Sequence, residues 1–171
     1  MQIDLYNKAF AEYFESETIR KGISEAVAMI KPAKRLIFIG NGGSNSICSH
    51  MMEDYMKIAS KQTLSFTDAA LITCFANDYG YENAMAEWVN FSFQPGDILV
   101  AISSSGESKN IVNAVNRHKS NGGIVITLSG FEPNNTLSTL GDINFNTPGR
   151  NYGIVECFHQ VILHAILDEL V

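Results

Sequence analysis

The sequence is poor in positive charge and has no long basic block. Lysine and arginine number 12 against 18 aspartates and glutamates, which gives a formal net charge of -6. The one short basic cluster is KPAKR at positions 31–35. Because nucleic acids and anionic membrane surfaces attract positive patches, this balance predicts neither of them as a partner.

Cysteines and long apolar runs are also scarce. The three cysteines, Cys48, Cys74 and Cys157, include no CxxC pair, so we expect reduced, mostly packed thiols in a cytoplasmic protein. The N-terminal stretch MQIDLYNKAFAEYFESE carries charges throughout, which is unlike a signal peptide. No segment approaches the roughly 18 apolar residues that a membrane span requires.

What the sequence does contain is a regular alternation of short apolar runs and helical segments. Each apolar run is followed by a stretch with helical periodicity, which is typical of a parallel sheet covered on both faces. We therefore predict an α/β fold, a three-layer αβα sandwich with about five parallel strands, formed by one domain over residues 1–171. The predicted strands lie near 35–40, 63–66, 96–103, 123–130 and 142–148.

The N-terminal segment predicts a helical extension to this sheet. Apolar residues recur at intervals of three and four between positions 3 and 30, with a break expected near Gly22 and an end at Pro32. We assign residues 1–31 to this extension, which we expect to serve oligomerisation, and residues 35–171 to the α/β core. Further helices are predicted at 44–58, 82–92, 109–122 and 152–171.

Two polar loops follow neighbouring predicted strands. In parallel sheets, ligands bind beyond the carboxyl ends of strands whose crossovers leave in opposite directions, which indicates positions 40–44 and 103–108. The second loop, SSSGES, offers hydroxyls, a glycine and the free N–H groups of a helix start, all of which suit a phosphate. The alternative is that Ser108 only caps the helix while the other serines form a turn.

Several motifs together resemble the SIS (sugar isomerase) phosphosugar-binding family. They are FIGNGGSNS at 38–46, AISSSGES at 101–108 and VITLSG at 125–130. The histidine six residues after Ser44, the segment ANDYG and the C-terminal ECFHQVILH are similar to phosphoheptose isomerases in particular. The resemblance covers nearly the whole chain and implies a flavodoxin-like SIS fold.

The resemblance implies a substrate site for a sugar phosphate. The asparagine of GNGGS and the aspartate of the NDxG segment would contact the sugar, and the serines together with the adjacent glycines would hold the phosphate. In this chain the implied residues are Asn41, Gly42, Gly43, Ser44, Asp78, Ser103, Ser104, Ser105 and Ser108.

The resemblance also implies a zinc site, or a site for another divalent metal. Its positions are His50, Asp54, Glu156 and His164. Independently of the family, His50 and Asp54 are four residues apart and share one helix face, and imidazole and carboxylate groups are zinc ligands. The alternative is that His50 and Asp54 form an ordinary pair while His164 packs at an interface.

This chain departs from the family pattern at four positions. Asp54 replaces a catalytic glutamate, although Glu53 is adjacent, and Glu156 replaces a glutamine. Gly153 and Ile58 stand where the family usually has an aspartate and an arginine. These changes bear on the choice of substrate and on catalysis.

The function implied is an aldose-ketose isomerase that converts sedoheptulose 7-phosphate into D-glycero-D-manno-heptose 7-phosphate through an enediol, for lipopolysaccharide or capsule heptose. Asp54, or Glu53 if the shorter side chain cannot reach, would be the base, and His164 the acid. The family forms tetramers with sites at subunit interfaces, so a homotetramer is expected. Two alternatives are an isomerase of another sugar phosphate and a non-catalytic SIS protein that binds phosphosugars or other proteins. His118 is expected to be solvated at a helix end, and His159 to be structural.

Overall fold

The computed structural model describes residues 1–171 and confirms the predicted α/β architecture. Five parallel strands form one sheet in the order β2-β1-β3-β4-β5. The strands are β1 Arg35–Ile39, β2 Gln62–Ser65, β3 Ile98–Ser103, β4 Ile124–Ser129 and β5 Ile143–Asn146. The helices are α1 Gln2–Phe14, α2 Glu17–Ile30, α3 Gly42–Lys57, α4 Ala69–Tyr79, α5 Tyr81–Ser92, α6 Lys109–Ser120 and α7 Tyr152–Asp168, with a 3₁₀ turn at Thr136–Thr139.

The sheet is buried on both faces because its strands are apolar at successive positions. Leu36 and Phe38 face a cluster formed with α1, α2, α3 and α7, whereas Ile37 and Ile39 face a second cluster formed with α5 and α6. All four side chains are fully buried. This two-sided burial explains the continuous apolar runs that predicted the parallel sheet.

The N-terminal extension differs from its prediction in where it breaks. The helix ends at Phe14 and restarts after Ser16, while Gly22 lies inside α2. A Cβ atom at position 22 would lie 3.1 Å from the ring of Phe145, so this glycine allows a strand residue to approach the helix. The extension is also anchored within the chain, since the Phe10 ring stacks on Phe158 of α7 with centroids 4.3 Å apart.

One further helix, α4, was not predicted. It begins after Asp68, whose Oδ1 accepts a hydrogen bond from the Leu71 N–H at 3.0 Å. None of its residues is fully buried, but one face of the helix packs on the second core cluster through Leu71, Ile72, Phe75 and Ala76. No helix of the chain is both long and apolar enough to cross a membrane.

Candidate functional site

The two polar loops meet where the strand order reverses. β1 and β3 are neighbours, and the chain continues from β1 to β2 on one side and from β3 to β4 on the other. Such a switch point leaves a crevice at the carboxyl ends of the two strands. A cavity of about 310 Å³ occupies it, lined by Asn41, Gly42, Gly43, Ser44, Ile102, Ser103, Ser104, Ser105, Ser108, Tyr152 and Glu156.

The first loop makes a tight turn directly into α3. A Cβ atom on Gly40 would lie 2.7 Å from the backbone carbon of Ser44, and Gly42 has a φ of +52°, a conformation that favours glycine. The Asn41 side chain makes no capping hydrogen bond to the helix. The N–H groups of the first turn of α3 therefore remain available to an anion.

The serine loop resolves the question of Ser108. Its hydroxyl makes no capping bond to α6 and instead accepts a hydrogen bond from the Ser103 hydroxyl at 3.1 Å. Ser105 accepts from the Glu107 N–H at 3.2 Å. Ser104 is 5 % exposed, and its hydroxyl has no hydrogen-bond partner. A buried unpaired hydroxyl costs stability, so this group is suited to meeting a polar ligand in the cavity.

The cavity contains no lysine or arginine. Glu156 is its one charged lining residue, and attraction for a phosphate comes instead from the starts of α3 and α6, whose helix dipoles are positive there. The Glu156 carboxylate packs on Gly43, where a Cβ atom would come within 2.5 Å of it. A residue larger than glycine at position 43 would therefore displace this carboxylate.

Asn41 is held by two residues that the sequence did not identify. It forms a reciprocal amide pair with Asn110, at 2.8 and 3.0 Å, and its Oδ1 also accepts from the Tyr81 hydroxyl at 2.8 Å. Tyr81 is the first residue of α5 and Asn110 lies in the first turn of α6. Two helices, α5 and α6, thus fix the asparagine beside the cavity. These contacts could not be predicted from sequence spacing, because Tyr81 and Asn110 lie 40 and 69 positions from Asn41 along the chain.

A second cluster lies further along α3 and α7. His50, Asp54 and His164 each offer one ligand atom, and these atoms lie within 4.8 Å of one another. Asp54 Oδ2 is 3.1 Å from His50 Nε2 and 3.9 Å from His164 Nδ1. Two imidazoles and a carboxylate are a donor set that fits zinc or another divalent cation with an open position. One chain supplies all three groups.

Glu156 does not join this cluster. It lies two helical turns from His164, at the cavity, and the side chain that does reach His164 is Gln160, whose amide nitrogen is 2.8 Å from His164 Nε2. Residues 156, 160 and 164 form one stripe on α7 at intervals of four. The sequence signal for Gln160 was this spacing, although the family pattern places a glutamine at position 156.

Two further predicted site residues lie apart from both centres. Glu53 is exposed and pairs with Lys57 at 4.0 Å, because it projects from a different face of α3 than Asp54 does. Asp78 is exposed on α4, where its side chain accepts from Asn77 at 3.0 Å. Neither carboxylate reaches the cavity or the histidine cluster within this chain.

Gly153 has a structural partner. A Cβ atom there would lie 2.8 Å from the hydroxyl of Tyr6, a residue of α1. The N-terminal helix therefore fills the space beside the start of α7. Ile58, by contrast, is an exposed residue at the end of α3, and nothing in the structure explains its replacement of the family arginine.

The remaining histidines are both fully buried. The expectation that His118 is solvated was wrong: it lies under Gly123 and Phe93, and its Nε2 is 3.3 Å from the Asp97 carbonyl. His159 donates from Nε2 to the Ser129 carbonyl at 3.1 Å. Burial lowers both pKa values, that of His159 to about 4. Both rings are therefore neutral at pH 7 and serve packing.

Comparison with known proteins agrees with this arrangement. The chain is 31% identical to a phosphoheptose isomerase from Fusobacterium nucleatum, over 98% of this chain and 88% of the relative. It is 28% identical to one from Cytophaga hutchinsonii, over 97% and 92%. A phosphoheptose isomerase structure from Neisseria gonorrhoeae has the same fold, with a TM-score of 0.89 over 99% of this chain and 94% of that one at 23% identity.

The SIS domain model matches residues 4–130, which include the first loop, the serine loop and the helix that carries His50 and Asp54. The chain therefore belongs to the SIS domain family.

Proposed function

We propose that this protein is an aldose-ketose isomerase that interconverts sedoheptulose 7-phosphate and D-glycero-D-manno-heptose 7-phosphate for heptose biosynthesis. The observation that carries the proposal is a phosphate-type cavity and a His-Asp-His cluster placed along the same two helices, α3 and α7. The names of the relatives supply the substrate class, because both sequence relatives are phosphoheptose isomerases.

The phosphate end would bind its ligand without a basic side chain. The hydroxyls of Ser44, Ser103, Ser104, Ser105 and Ser108 and the N–H groups at the starts of α3 and α6 supply the donors. Asn41, fixed by its neighbours, would present its amide to the sugar. Ser104 is the strongest candidate among them, since its buried hydroxyl has no partner within the protein and Ser104 lines the cavity.

The histidine end would perform the proton transfers. Zinc or another divalent cation held by His50, Asp54 and His164 would polarise the substrate carbonyl. Asp54 would move a proton between the two neighbouring carbons through the enediol. His164, the acid that the sequence predicted, holds its two ring nitrogens against Asp54 and Gln160, so in this arrangement it would act as a cation ligand and not as the proton donor. The Asp54 side chain is 15 % exposed, so it is shielded from bulk water but open to a substrate.

A homo-oligomer, with the tetramer of the family as the expected form, is part of the proposal. Tyr79 of α4 and Phe91 of α5 are 42 % and 68 % exposed, and these large side chains are suited to contacts between copies. Asp78, which lies on α4, could then face the site of a neighbouring copy. We further propose one SIS domain over residues 1–171, with 1–31 adding contacts between copies, and a cytoplasmic location in keeping with three free cysteines.

One observation favours a second candidate. The Glu156 carboxylate lies in the phosphate cavity and would repel a phosphate dianion. This favours either an isomerase for a different sugar phosphate, which uses that carboxylate to bind a hydroxyl, or a non-catalytic phosphosugar-binding protein. Glu53, the alternative base, is exposed and pairs with Lys57, so Asp54 is the better placed of the two carboxylates.

The test is an NMR assay of the purified protein against a panel of ketose phosphates with and without added zinc. Heptulose turnover that requires the metal supports the proposal, turnover of a pentose or hexose phosphate alone assigns the second candidate enzyme, and binding without any turnover assigns the non-catalytic role.

The variant Asp54→Asn tests the two roles proposed for Asp54, base and cation ligand, together. It is expected to lower turnover by roughly 10²- to 10⁴-fold while the phosphosugar still binds, because the phosphate contacts lie at the other end of the two helices. Glu53→Gln is the matched comparison: a loss there, with turnover retained in Asp54→Asn, would transfer the role of base to Glu53.

A further inference from the structure

We propose that Gln160 is a positioning residue that orients His164 and determines which of its ring nitrogens faces Asp54 and His50. This inference rests on the metal centre proposed above. It concerns a residue of this chain that the family resemblance does not assign, one helical turn from the position at which the family carries its glutamine.

The Gln160 side chain is fixed by two contacts. Its amide nitrogen lies 2.8 Å from His164 Nε2 and 3.2 Å from the sulfur of Met51. Met51 is fully buried in α3, so the amide is held between the two helices. Gln160 and His164 are four residues apart on α7, which places their side chains one above the other.

This contact assigns different roles to the two nitrogens of His164. Nε2 is engaged by the amide, and Nδ1 is the atom that points at Asp54 Oδ2, 3.9 Å away. A cation held by His50, Asp54 and His164 would therefore meet His164 at Nδ1. Histidine ligands to metals commonly donate their other N–H to an oxygen acceptor, which fixes the ring and raises its basicity.

Gln160 can serve the ring both with and without a cation. In the structure the amide nitrogen donates to Nε2, which leaves the ring hydrogen on Nδ1, facing Asp54. With a cation on Nδ1, the ring would carry its one hydrogen on Nε2, and Gln160 would accept that N–H through its amide oxygen after a half-turn of the amide. The ring carries one hydrogen in both states, so the balance of protons is kept.

Glu156 cannot take this role. Its carboxylate packs against Gly43 in the cavity, two helical turns from His164 along α7. The three residues of the α7 stripe thus have different contacts: Glu156 lines the cavity, Gln160 contacts His164, and His164 would contact the cation.

The first measurement is the ¹⁵N spectrum of histidine-labelled protein, which reports the tautomer of each ring. Without metal, His164 is expected as the Nδ1–H form in the wild type and as a mixture in Gln160→Leu. With zinc, the wild type is expected to show Nε2–H and a metal-shifted Nδ1. Metal-free spectra that are identical in the wild type and the variant would overturn the proposal, even if the protein does not bind zinc at all.

The second measurement is zinc affinity by competition with a chelator. Gln160→Leu is expected to bind about 10- to 100-fold more weakly, as for the loss of other groups that support a metal-binding histidine. Gln160→Glu is expected to stay near the wild type, because its carboxylate still accepts the Nε2–H bond. Val161→Ala, an exposed neighbour on α7, is the control for general effects on the helix.

The outcomes separate the two proposals. If the wild type binds no measurable zinc, the proposed metal centre is refuted, and the role of Gln160 is then decided by the metal-free ¹⁵N spectra alone. Wild-type affinity in Gln160→Leu, or equal losses in the Leu and Glu variants, overturns the role of Gln160. If Gln160→Leu does not fold, Gln160→Met keeps the length of the side chain but has no N–H to donate to His164 Nε2, and it is held to the same expectations.

Discussion

Acidification should destabilise this protein through one buried ring, His159. The side chain is fully buried, and its Nε2 donates to the Ser129 carbonyl at 3.1 Å. Its Nδ1 has no partner, so protonation would bury both a charge and an unpaired donor. Burial accordingly lowers the pKa of His159 to about 4 from its ordinary 6.5.

The sign follows from the protons bound. Between pH 6.5 and 4 the unfolded chain carries a proton on this histidine that the folded protein lacks, so stability is present above pH 6.5 and is lost as the pH falls toward 4. At about 1.4 kcal/mol per pKa unit, the full difference is about 3 kcal/mol. Going from pH 7 to pH 5 realises about 2 kcal/mol of it.

The assay is urea unfolding of the wild type and His159→Gln at pH 7 and pH 5. The variant is expected to be less stable at pH 7, because the ring is buried, and the gap should narrow by about 2 kcal/mol at pH 5. His118, whose pKa burial also lowers, is present in both proteins and cancels from the comparison. A gap that stays constant with pH, or an NMR titration of His159 with a midpoint near 6.5 in the folded protein, would refute the reasoning.

Two further changes test the loop and the base of the sheet. Ser104→Ala should weaken binding of a ketose phosphate by about 1–3 kcal/mol in calorimetry, because the variant lacks the buried hydroxyl that would meet the ligand. Ser120→Ala, at the far end of α6, should leave the affinity unchanged. Equal affinities of Ser104→Ala and the wild type would remove Ser104 from the site. Asp97→Asn should lower the free energy of unfolding in urea by about 3–5 kcal/mol. Asp97 is buried and accepts a hydrogen bond from Arg35 Nε at 2.8 Å, so the substitution leaves that guanidinium without its counter-ion. A decrease below about 1 kcal/mol would contradict this account.

The sheet could be predicted from sequence because its strands are buried on both faces. Leu36 to Ile39 are all fully buried, so the strand appears in the sequence as an unbroken run of apolar residues. The break in the N-terminal extension was misplaced for the opposite reason. A glycine inside a helix suggests a break, but Gly22 is there to admit the Phe145 ring, a contact between residues far apart in sequence.

The site was predictable where it depends on local order and not where it depends on packing between elements. The two loops follow from strand ends, and His50 with Asp54 follows from helical spacing. Other contacts arise only when the helices pack together. These are the hydrogen bond between Asn41 and Tyr81 and the contacts of Gln160 with His164 and Met51. Burial of His118 was hidden because its neighbours in sequence are polar.

Helices α3 and α7 both run from the cavity to the histidine cluster, so they set the distance between the two ends of the site. Six residues separate Ser44 from His50, or about 9 Å along α3, and eight separate Glu156 from His164, or about 12 Å along α7. A molecule that seats its phosphate at the helix starts and its carbonyl at the histidines has to bridge that span. Under the proposed function, this distance would select substrates by the number of carbon atoms between the phosphate and the carbonyl, and inserting or deleting one turn in both helices would change the preferred length.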